Sequence, residues 1–553
     1  MCGIWAVFGK ETDANPDQYA KCLKYLNARG PEQATLMPCE NIGVLGFTRL
    51  AINGLNEQGM QPMTADGVMW AVNGEIYNWR ELAAKGGIEC TSGSDCEVIG
   101  KLYRKVGGFD GLASMFRSID GVFACVIVDT VANRIIVARD PYGVRPLFVG
   151  KTFTGKGLRL FFGSEMKSLV EVADEIAPFA PGTFQVYDAT SLKCLNSEKY
   201  HVISTLTLPV FNPKSDFGLV TSMIAVRDAL CAAVKKRMMT ERPVAALLSG
   251  GLDSSLIAAL VSKELKLAGA PPLKTFSIGM EGSSDIACAR KVAAWIGSDH
   301  TEVLVTADEM FDAIREVVQT IESYDTTTVR ASVGNWLVSR EISRRTDCKV
   351  VFNGDGSDEV FGSYLYCFGA PSDGAYEEEV LKLLKNIHTF DVLRSDRSIS
   401  SNGLEPRTPF LDKAFVQTVL SIPVEFRRPV EGRIPEKWLL RRAFDDGVTL
   451  PREILWRRKE AFSDGVSGTE KSWYQQIQEK VVPLIREDWK SVAQEMFPVN
   501  TPLTAEMYMY RLFYEQRYTN KNVTATVPFF WMPNWSDATD PSARTLPLYQ
   551  VLL

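Results

Sequence analysis

Residues 244–255 have the sequence VAALLSGGLDSS, in which a short apolar run leads directly into a glycine turn. The run Val244–Leu248 predicts a buried strand, and residues 253–267 have the apolar spacing of a helix. Paired glycines at 250 and 251 allow the chain to turn tightly between the two elements. This strand–turn–helix unit is typical of α/β folds and defines the second half of the chain.

The same alternation continues towards the C-terminus. Leu273–Gly279 predicts a strand, Asp285–Ile296 a helix and Thr301–Val305 another strand. Strands that alternate with helices predict a doubly wound parallel sheet. From residue 308 onward the pattern is mainly helical.

The first 200 residues or so have a different texture, with short strand patterns separated by glycine and asparagine. The strands are predicted at Val44–Phe47, Val68–Val72, Val122–Asp129, Arg134–Ala138 and Leu160–Gly163. Helical patterns are fewer, as at Asp95–Lys105, so this half is expected to contain stacked sheets with flanking helices. Pro209 and Pro213 interrupt the pattern and suggest a linker. We therefore expect a first domain at 2–205, a linker at 206–220 and a second domain at 221–553.

Length and composition restrict the class of protein. A chain of 553 residues is too long for one compact core and predicts two domains. The net charge of −6 comes without a basic stripe, which argues against nucleic acid as a partner. No apolar stretch is expected to approach the roughly 20 residues of a membrane helix. The 11 cysteines show no metal-clip spacing, and with no secretory signal they predict reduced thiols in the cytoplasm.

Cys2 is the first candidate catalytic residue. Removal of Met1 would give Cys2 a free α-amine, whose ordinary pKa of roughly 7.7–8.0 suits a base at neutral pH. A thiol and an amine on one residue form a nucleophile with its own base, so none of the three histidines is needed. Cys2 alone would be a weak signal, since any residue can follow an initiator methionine.

Other residues of the first half support Cys2. Asn73 and Gly74 follow the predicted strand Val68–Val72 and could form an oxyanion hole. Arg49 could bind a substrate carboxylate, while Glu75 and Asp95 could hold a substrate ammonium group. Taken singly, each is a common turn or surface residue.

The turn after Val244–Leu248 is a candidate phosphate site. Unpaired N–H groups at the start of the following helix attract anions. Ser249, Ser254 and Ser255 add hydroxyl donors, and Asp253 could ligate Mg²⁺. The Gly-Lys-Ser/Thr ending of the Walker A motif is missing. A second acidic turn, NGDGSDE at 353–359, follows the predicted strand 349–352 and could reach the same crevice.

Several motifs of the first half resemble the class II glutamine amidotransferases. They are MCGI at 1–4, RGP at 29–31, NGEIYN at 73–78, DGVFA at 120–124 and RDPYGVRPL at 139–147. The resemblance implies an N-terminal-nucleophile fold, an α-β-β-α sandwich, with Cys2 as nucleophile. It places glutamine against Arg49, Leu50, Ala51, Ile52, Asn53, Asn73, Gly74, Glu75 and Asp95.

The second half resembles the ATP-pyrophosphatase domain of asparagine synthetases. Further motifs are TFSIGM at 275–280, TTVRAS at 327–332, PFLD at 409–412, KEAFSDG at 459–465 and DATDPSAR at 537–544. The resemblance implies an adenosine site at Leu247, Ile278, Asn353 and Gly354, with pyrophosphate bound by Ser249, Gly250, Gly251, Asp253, Ser254 and Ser255. Asp253 and Asp358 are implied as Mg²⁺ ligands. Asp355 would assist the aspartyl-adenylate and Lys459 would neutralise phosphate charge. The implied aspartate and AMP pocket contains Thr327, Thr328, Arg330, Asp391 and Arg394.

The chain departs from the family pattern at a few positions. Ala28 and Thr48 stand where histidine is common, and Glu32 replaces the aspartate after Arg-Gly-Pro. Asn353 stands where serine is usual and Asp355 where glutamate is common. The shorter side chain of Asp355 could move its carboxylate by about one bond length, which matters for reactive geometry.

These resemblances imply a glutamine-dependent synthesis of asparagine from aspartate, with ATP as substrate and Mg²⁺ as cofactor. The expected partners are these small molecules, with neither nucleic acid nor membrane; a homodimer is left open. Two alternatives also remain: an amidotransferase with another carboxylate acceptor, as in β-lactam synthetases, and a non-catalytic relative. Retention of Cys2 argues against the first, and the intact Asn73, Gly74, Asp253 and Asp358 argue against the second.

Overall fold

The computed structural model describes residues 1–10, 15–106, 108–460, 465–467, 471–518, 523, 526–547 and 549. The strands are β1 Gly3–Phe8, β2 Gln33–Cys39, β3 Gly43–Arg49, β4 Met63–Ala65, β5 Val68–Ile76, β6 Gly121–Asp129, β7 Arg134–Arg139, β8 Phe148–Thr154, β9 Gly157–Gly163, β10 Glu175–Pro178, β11 Thr183–Asp188, β12 Cys194–Lys199, β13 Val244–Leu247, β14 Lys274–Gly279, β15 Asp299–Leu304, β16 Val350–Phe352 and β17 Glu405–Arg407.

The α-helices are α1 Pro16–Lys24, α2 Trp79–Gly86, α3 Glu97–Val106, α4 Phe109–Ser118, α5 Asp216–Lys236, α6 Leu252–Leu267, α7 Ser284–Ile296, α8 Ala307–Ile321, α9 Thr326–Arg345, α10 Ser357–Phe361, α11 Asp373–Asn386, α12 Asp391–Ser400, α13 Lys413–Leu420, α14 Val424–Arg427, α15 Trp438–Ala443, α16 Arg452–Leu455, α17 Trp473–Val481, α18 Trp489–Met496 and α19 Ala505–Glu515.

Two antiparallel sheets form the first half of the molecule. Their strand orders are β10-β8-β9-β1-β3-β2 and β12-β11-β7-β6-β5-β4. Side chains alternate along β1, so Ile4 and Ala6 enter the core between the sheets while Trp5 and Val7 pack with α1. Helices α3 and α4 cover the outer face of the second sheet. This layering confirms the predicted α-β-β-α sandwich.

The second half contains a five-stranded sheet with the order β15-β14-β13-β16-β17, in which every neighbouring pair is parallel. Ala246 packs with α5 and α6 on one face, and Ala245 packs with α8 and α9 on the other. The predicted doubly wound sheet is therefore confirmed. Chain order reverses between β13 and β16, and ligands of such sheets bind at the carboxyl ends beside this reversal.

Helix α5 differs from expectation in two respects. It begins at Asp216, within the segment predicted as a linker. Its stretch Phe217–Lys236 has 20 residues and a mean hydropathy of 1.6, enough to cross a membrane by length and composition alone. The expectation that no stretch reaches this length was wrong. Length and composition are weak evidence for a membrane segment, because the core helices of soluble proteins pass the same test. In this structure, 33% of the stretch is buried.

Candidate functional site

The first site surrounds Cys2, which immediately precedes β1. Its main-chain N–H donates to Oδ1 of Asn73 at 3.2 Å, and its Sγ lies 3.6 Å from the carbonyl oxygen of Leu50. Burial raises the pKa of the Cys2 thiol, so the thiol needs a base to become a nucleophile. Met1 is still attached here, and burial lowers the pKa of its α-amine to about 6.

Asn73 lies within β5, not after it, because the strand continues through Ile76. Its side-chain oxygen is fixed by Cys2, whereas its Nδ2 is buried without a hydrogen-bond partner among the described residues. A buried unpaired donor is costly unless a ligand satisfies it. Nδ2 is therefore available to stabilise an oxyanion that forms beside the thiol.

A small cavity of about 30 Å³ joins Cys2 to most of the predicted glutamine-binding residues. Its lining includes Arg49, Leu50, Ala51, Ile52, Asn53, Gly74, Glu75 and Asp95. The cavity is narrow and has room for water molecules between these side chains. Most of the sequence-predicted glutamine-binding residues thus lie together around one narrow cavity.

The charged groups of this cavity are held in place. Arg49 donates to the carbonyl oxygens of Asn56 at 2.9 Å and Gly54 at 2.5 Å. Asn53 donates to Glu75 at 2.8 Å, and Asp95 accepts from the main-chain N–H of Ile76 at 2.6 Å. Burial raises the pKa of Asp95 to about 6 and that of Glu75 well above its usual range.

The parallel sheet also contributes to this site, which sequence reasoning missed. Glu405 of β17 lines the cavity, and Arg407 lies 3.2 Å from Glu75 and 2.7 Å from Glu405. More than 300 residues separate these positions from Glu75 in the sequence. No local motif could have indicated this contact, which depends on how the two halves pack.

The second site lies at the carboxyl ends of β13, β14 and β16. A cavity of about 220 Å³ is lined by many of the predicted nucleotide-site residues: Leu247, Ser249, Gly251, Asp253, Ser254, Ile278, Asn353, Gly354, Asp355, Asp358 and Lys459. Thr327, Thr328, Asp391 and Arg394 line it as well. The strand ends therefore bring together residues spread over more than 200 positions.

The glycine turn shapes the phosphate end of this cavity. Gly250 has a φ of +75°, and a Cβ there would lie 2.4 Å from the main-chain nitrogen of Ala289. Ser249 and Ser254 contact each other through their hydroxyl oxygens at 2.9 Å, and α6 begins at Leu252. Gly250 and Ser255 are not among the described lining residues; Ser255 is fully buried, and its hydroxyl has no partner in the described part of the chain.

Lys437 is the main residue of this site that the sequence did not reveal. Its ammonium lies 2.5 Å from Asp253 and 2.6 Å from Asp358, while Lys459 lies 2.7 Å from Asp358. Burial alone would raise the pKa of Asp358, but Lys437 and Lys459 hold it far below its usual range. Lys437 thus holds the two predicted metal ligands together through its contacts with both carboxylates.

The residues present fit a magnesium ion brought by a nucleotide. Within the described ranges, no group of three or more His, Cys, Asp or Glu side chains could form a complete metal site. Mg²⁺ commonly binds through one or two carboxylates plus substrate phosphates. Asp253 and Asp358, facing one cavity beside the glycine turn, supply such a pair of oxygen ligands.

The predicted acceptor pocket is assembled in part. Asp355 accepts from Arg394 at 3.1 Å, and Arg394 also donates to Asp391 at 2.7 Å. Arg330 is not among the described lining residues; its guanidinium donates to Glu506 and Asp540 in a buried cluster. Its role in substrate binding stays a prediction. In the structure, Arg330 links the buried carboxylates of Glu506 and Asp540.

The departures from the family pattern have identifiable contacts. Asn353 donates to Ser395 at 2.7 Å, and the carbonyl of Ala28 accepts from the N–H of Gly403 at 3.1 Å. Thr48 donates to Leu26 at 3.2 Å, while Glu32 accepts from the N–H of Ala51 at 2.8 Å. In the KEAFSDG motif, residues 461–464 lie outside the described residues.

Comparison with known proteins gives matches over both halves. A model of the asparagine synthase family matches residues 225–379 and 369–521, and one of the glutamine amidotransferase domain matches residues 1–209. The asparagine synthetase [glutamine-hydrolyzing] of Gallus gallus is 42% identical over 577 residues, covering 100% of this chain and 99% of the relative. The Homo sapiens protein of the same name is 42% identical over 573 residues, with the same coverage. The chain therefore belongs to the family of glutamine-hydrolysing asparagine synthetases.

Proposed function

We propose that this protein makes L-asparagine from L-aspartate with ammonia released from L-glutamine, converting ATP to AMP and pyrophosphate. The observation that carries the proposal is that one chain combines two complementary sites. Cys2 donates to Oδ1 of Asn73, whose Nδ2 has no partner among the described residues, and Asp253, Asp355 and Asp358 lie around a glycine turn at the parallel sheet.

The first half-reaction releases ammonia. With Met1 removed, the α-amine of Cys2 accepts the thiol proton while the sulfur attacks the side-chain amide carbon of glutamine. Asn73 and Gly74 stabilise the oxyanion. The amine then passes the proton to the leaving nitrogen, and water hydrolyses the thioester to glutamate. A form that keeps Met1 should be inactive with glutamine yet able to use ammonium.

The second half-reaction consumes the ammonia. An oxygen of the β-carboxylate of aspartate attacks the α-phosphorus of ATP, giving β-aspartyl-AMP and pyrophosphate. Ammonia then attacks the acyl carbon, and AMP leaves. Ser249–Ser255 hold the pyrophosphate, and Lys459 offsets its charge. Asp355, which accepts a hydrogen bond from Arg394, assists formation of the aspartyl-adenylate.

Mg²⁺, held by Asp253 and Asp358 together with the phosphates, would neutralise charge on the nucleotide. We further propose a glutaminase domain at 2–205, a linker at 206–220 and a synthetase domain at 221–553. The antiparallel sheets within residues 3–199 and the parallel sheet within 244–407 support this division. The proposal also includes a cytoplasmic location and a homodimer, with glutamine, aspartate and ATP as the small-molecule partners.

An assay of the purified protein with aspartate, glutamine and MgATP tests the function. Asparagine and AMP are measured together, and we expect equal amounts of both. Formation of AMP without asparagine would overturn the assignment of aspartate as acceptor of the nitrogen.

A further inference from the structure

Arg29 is a fully buried arginine that contacts the nucleophile residue directly. Its Nε donates to the main-chain carbonyl oxygen of Cys2 at 3.0 Å, and its Nη1 donates to Glu165 at 2.7 Å. The guanidinium therefore fixes the backbone from which the Cys2 thiol projects. Its own position depends on what holds its remaining N–H groups.

Those groups are held from the other half of the molecule, by α12. Asp396 accepts from Nη1 of Arg29 at 2.7 Å and from Nη2 at 3.2 Å, across 367 residues of sequence. Ser400, one turn further along α12, accepts from Nη1 at 2.8 Å. Asp396 is only 1% exposed, and two-pronged contacts of this kind fix orientation as well as charge.

The electrostatics favour a persistent contact. Burial alone would disfavour the charged guanidinium, but Asp396 and Glu165 raise the pKa of Arg29 above its ordinary value. Removing one partner from a buried ion pair is costly because the other charge stays buried. Arg29 would then keep Glu165 as a charged partner and Ser400 as a neutral one, and would shift towards Glu165, drawing the carbonyl of Cys2 with it.

The loop at 28–31, which carries Arg29, also contacts the chain next to Arg49, the predicted ligand of the substrate carboxylate. A Cβ at Gly30 would lie 2.3 Å from the carbonyl carbon of Thr48, so this loop lies directly on the chain leading into Arg49. Beyond α12, the N–H of Gly403 donates to the carbonyl of Ala28 at 3.1 Å. The segment 396–403 therefore supports the loop at 28–31, which touches both the nucleophile and the predicted carboxylate ligand.

We infer that Asp396 is a positioning residue for glutamine hydrolysis, supplied by the synthetase half to the glutaminase site. It touches no substrate; it orients Arg29, which orients Cys2. The inference rests on the proposed function. Its physical basis is that displacing a reacting group by about 1 Å can cost on the order of a hundredfold in rate.

The test compares Asp396→Asn with a matched control, Glu322→Gln, in the full-length protein. Glu322 is a buried acid of the same half that accepts from the N–H groups of Met166 and Lys167, but it does not contact Arg29. We expect Asp396→Asn to lower kcat/KM for glutamine hydrolysis by roughly tenfold or more, with ammonium-dependent synthesis within about twofold of wild type. Glu322→Gln should change both activities by the same factor.

Thermal unfolding of each variant separates positioning from folding. If Asp396→Asn does not fold, Ser400→Ala removes a neutral contact to Arg29 and should give a smaller loss confined to glutamine hydrolysis. Normal glutamine hydrolysis by a folded Asp396→Asn would overturn this inference and leave the proposed function intact. Equal loss of glutamine hydrolysis and of ammonium-dependent synthesis would do the same. Absence of glutamine hydrolysis in the wild-type protein would overturn the proposed function and this inference together.

Discussion

The side-chain oxygen of Asn73 accepts a hydrogen bond from the main-chain N–H of Cys2 at 3.2 Å. The Nδ2 of the same side chain is a buried donor that has no partner in the described part of the chain. The strand that carries Asn73 therefore fixes an amide donor beside the thiol before substrate arrives. Such preorganised donors account for much of the stabilisation of a tetrahedral oxyanion.

Replacing Asn73 with alanine should lower kcat for glutamine hydrolysis by roughly 10²–10³-fold, the usual cost of one oxyanion-hole donor. Ammonium-dependent asparagine synthesis should stay near the wild-type rate, because it bypasses this site. Asn78→Ala is the control, since the side chain of Asn78 donates to the carbonyl of Ser118 instead. Steady-state glutamate formation measures both variants; a wild-type kcat in Asn73→Ala would contradict this role.

Lys437 should be essential for adenylation but not for glutamine hydrolysis. Lys437→Met leaves Lys459 beside Asp358 but removes the one lysine that pairs with both Asp253 and Asp358, so AMP formation should fall by on the order of a hundredfold or more. Lys291→Met is the control, because Lys291 forms an exposed pair with Glu453. Release of AMP and of glutamate is measured on the same sample. Loss of glutamate release together with AMP release would indicate general misfolding instead.

The two glycines of the phosphate turn should respond differently to alanine. At Gly250 the φ of +75° and the 2.4 Å approach to Ala289 leave no room for a Cβ. At Gly251 the φ is −73° and the nearest contact is the hydroxyl of Ser249 at 3.3 Å. Gly250→Ala should destabilise by about 1–3 kcal/mol and Gly251→Ala by less, as read from thermal unfolding. Equal melting temperatures would contradict the strain assigned to Gly250.

Much of the fold was predictable because its signals are local. The turn at 249–251 and the strands on either side follow from apolar runs and glycine pairs, and the structure contains β13, β14 and β16 close to their predicted ends. The extension of β5 through Asn73 was missed because the glycine at 74 favours a turn when only its neighbours are considered. Pairing with β6 across Gly121–Asp129 outweighs that preference.

The site was predictable only where its residues lie in motifs. Cys2, Asp253 and Asp358 belong to such motifs, whereas Lys437 stands 184 residues beyond Asp253 in a stretch with no chemical signature. The contact of Asp396 with Arg29 likewise depends on the packing of the two halves. Contacts of this kind are set by the packed tertiary structure, so one sequence does not reveal them.

Glutamine use should depend on the ionisation of Asp95. Burial raises the pKa of this carboxyl to about 6, although the N–H of Ile76 opposes the shift. Below pH 6 the group is neutral in the free enzyme and loses its attraction for the substrate ammonium. We therefore expect kcat/KM for glutamine to fall below pH 6 by a further factor of about ten per pH unit, in addition to the loss caused by protonation of the α-amine.

Initial rates of glutamate formation between about pH 5 and 8 measure this profile. Asp95→Asn should have a lower kcat/KM throughout and should lack the step near pH 6. The α-amine titrates in both proteins, so the difference between the two profiles isolates Asp95. If the profiles of the wild type and Asp95→Asn have the same shape near pH 6, the assignment of this step to Asp95 is wrong.

The most direct test of the whole account follows the nitrogen atom in Cys2→Ala and in the wild-type protein. Each is given aspartate and MgATP with either amide-¹⁵N glutamine or ammonium, and labelled asparagine and AMP are quantified. We predict that wild type transfers ¹⁵N from glutamine to asparagine, whereas Cys2→Ala makes asparagine only from ammonium. Transfer of glutamine nitrogen by Cys2→Ala, or loss of synthesis from both nitrogen sources, would contradict the division of labour between the two sites.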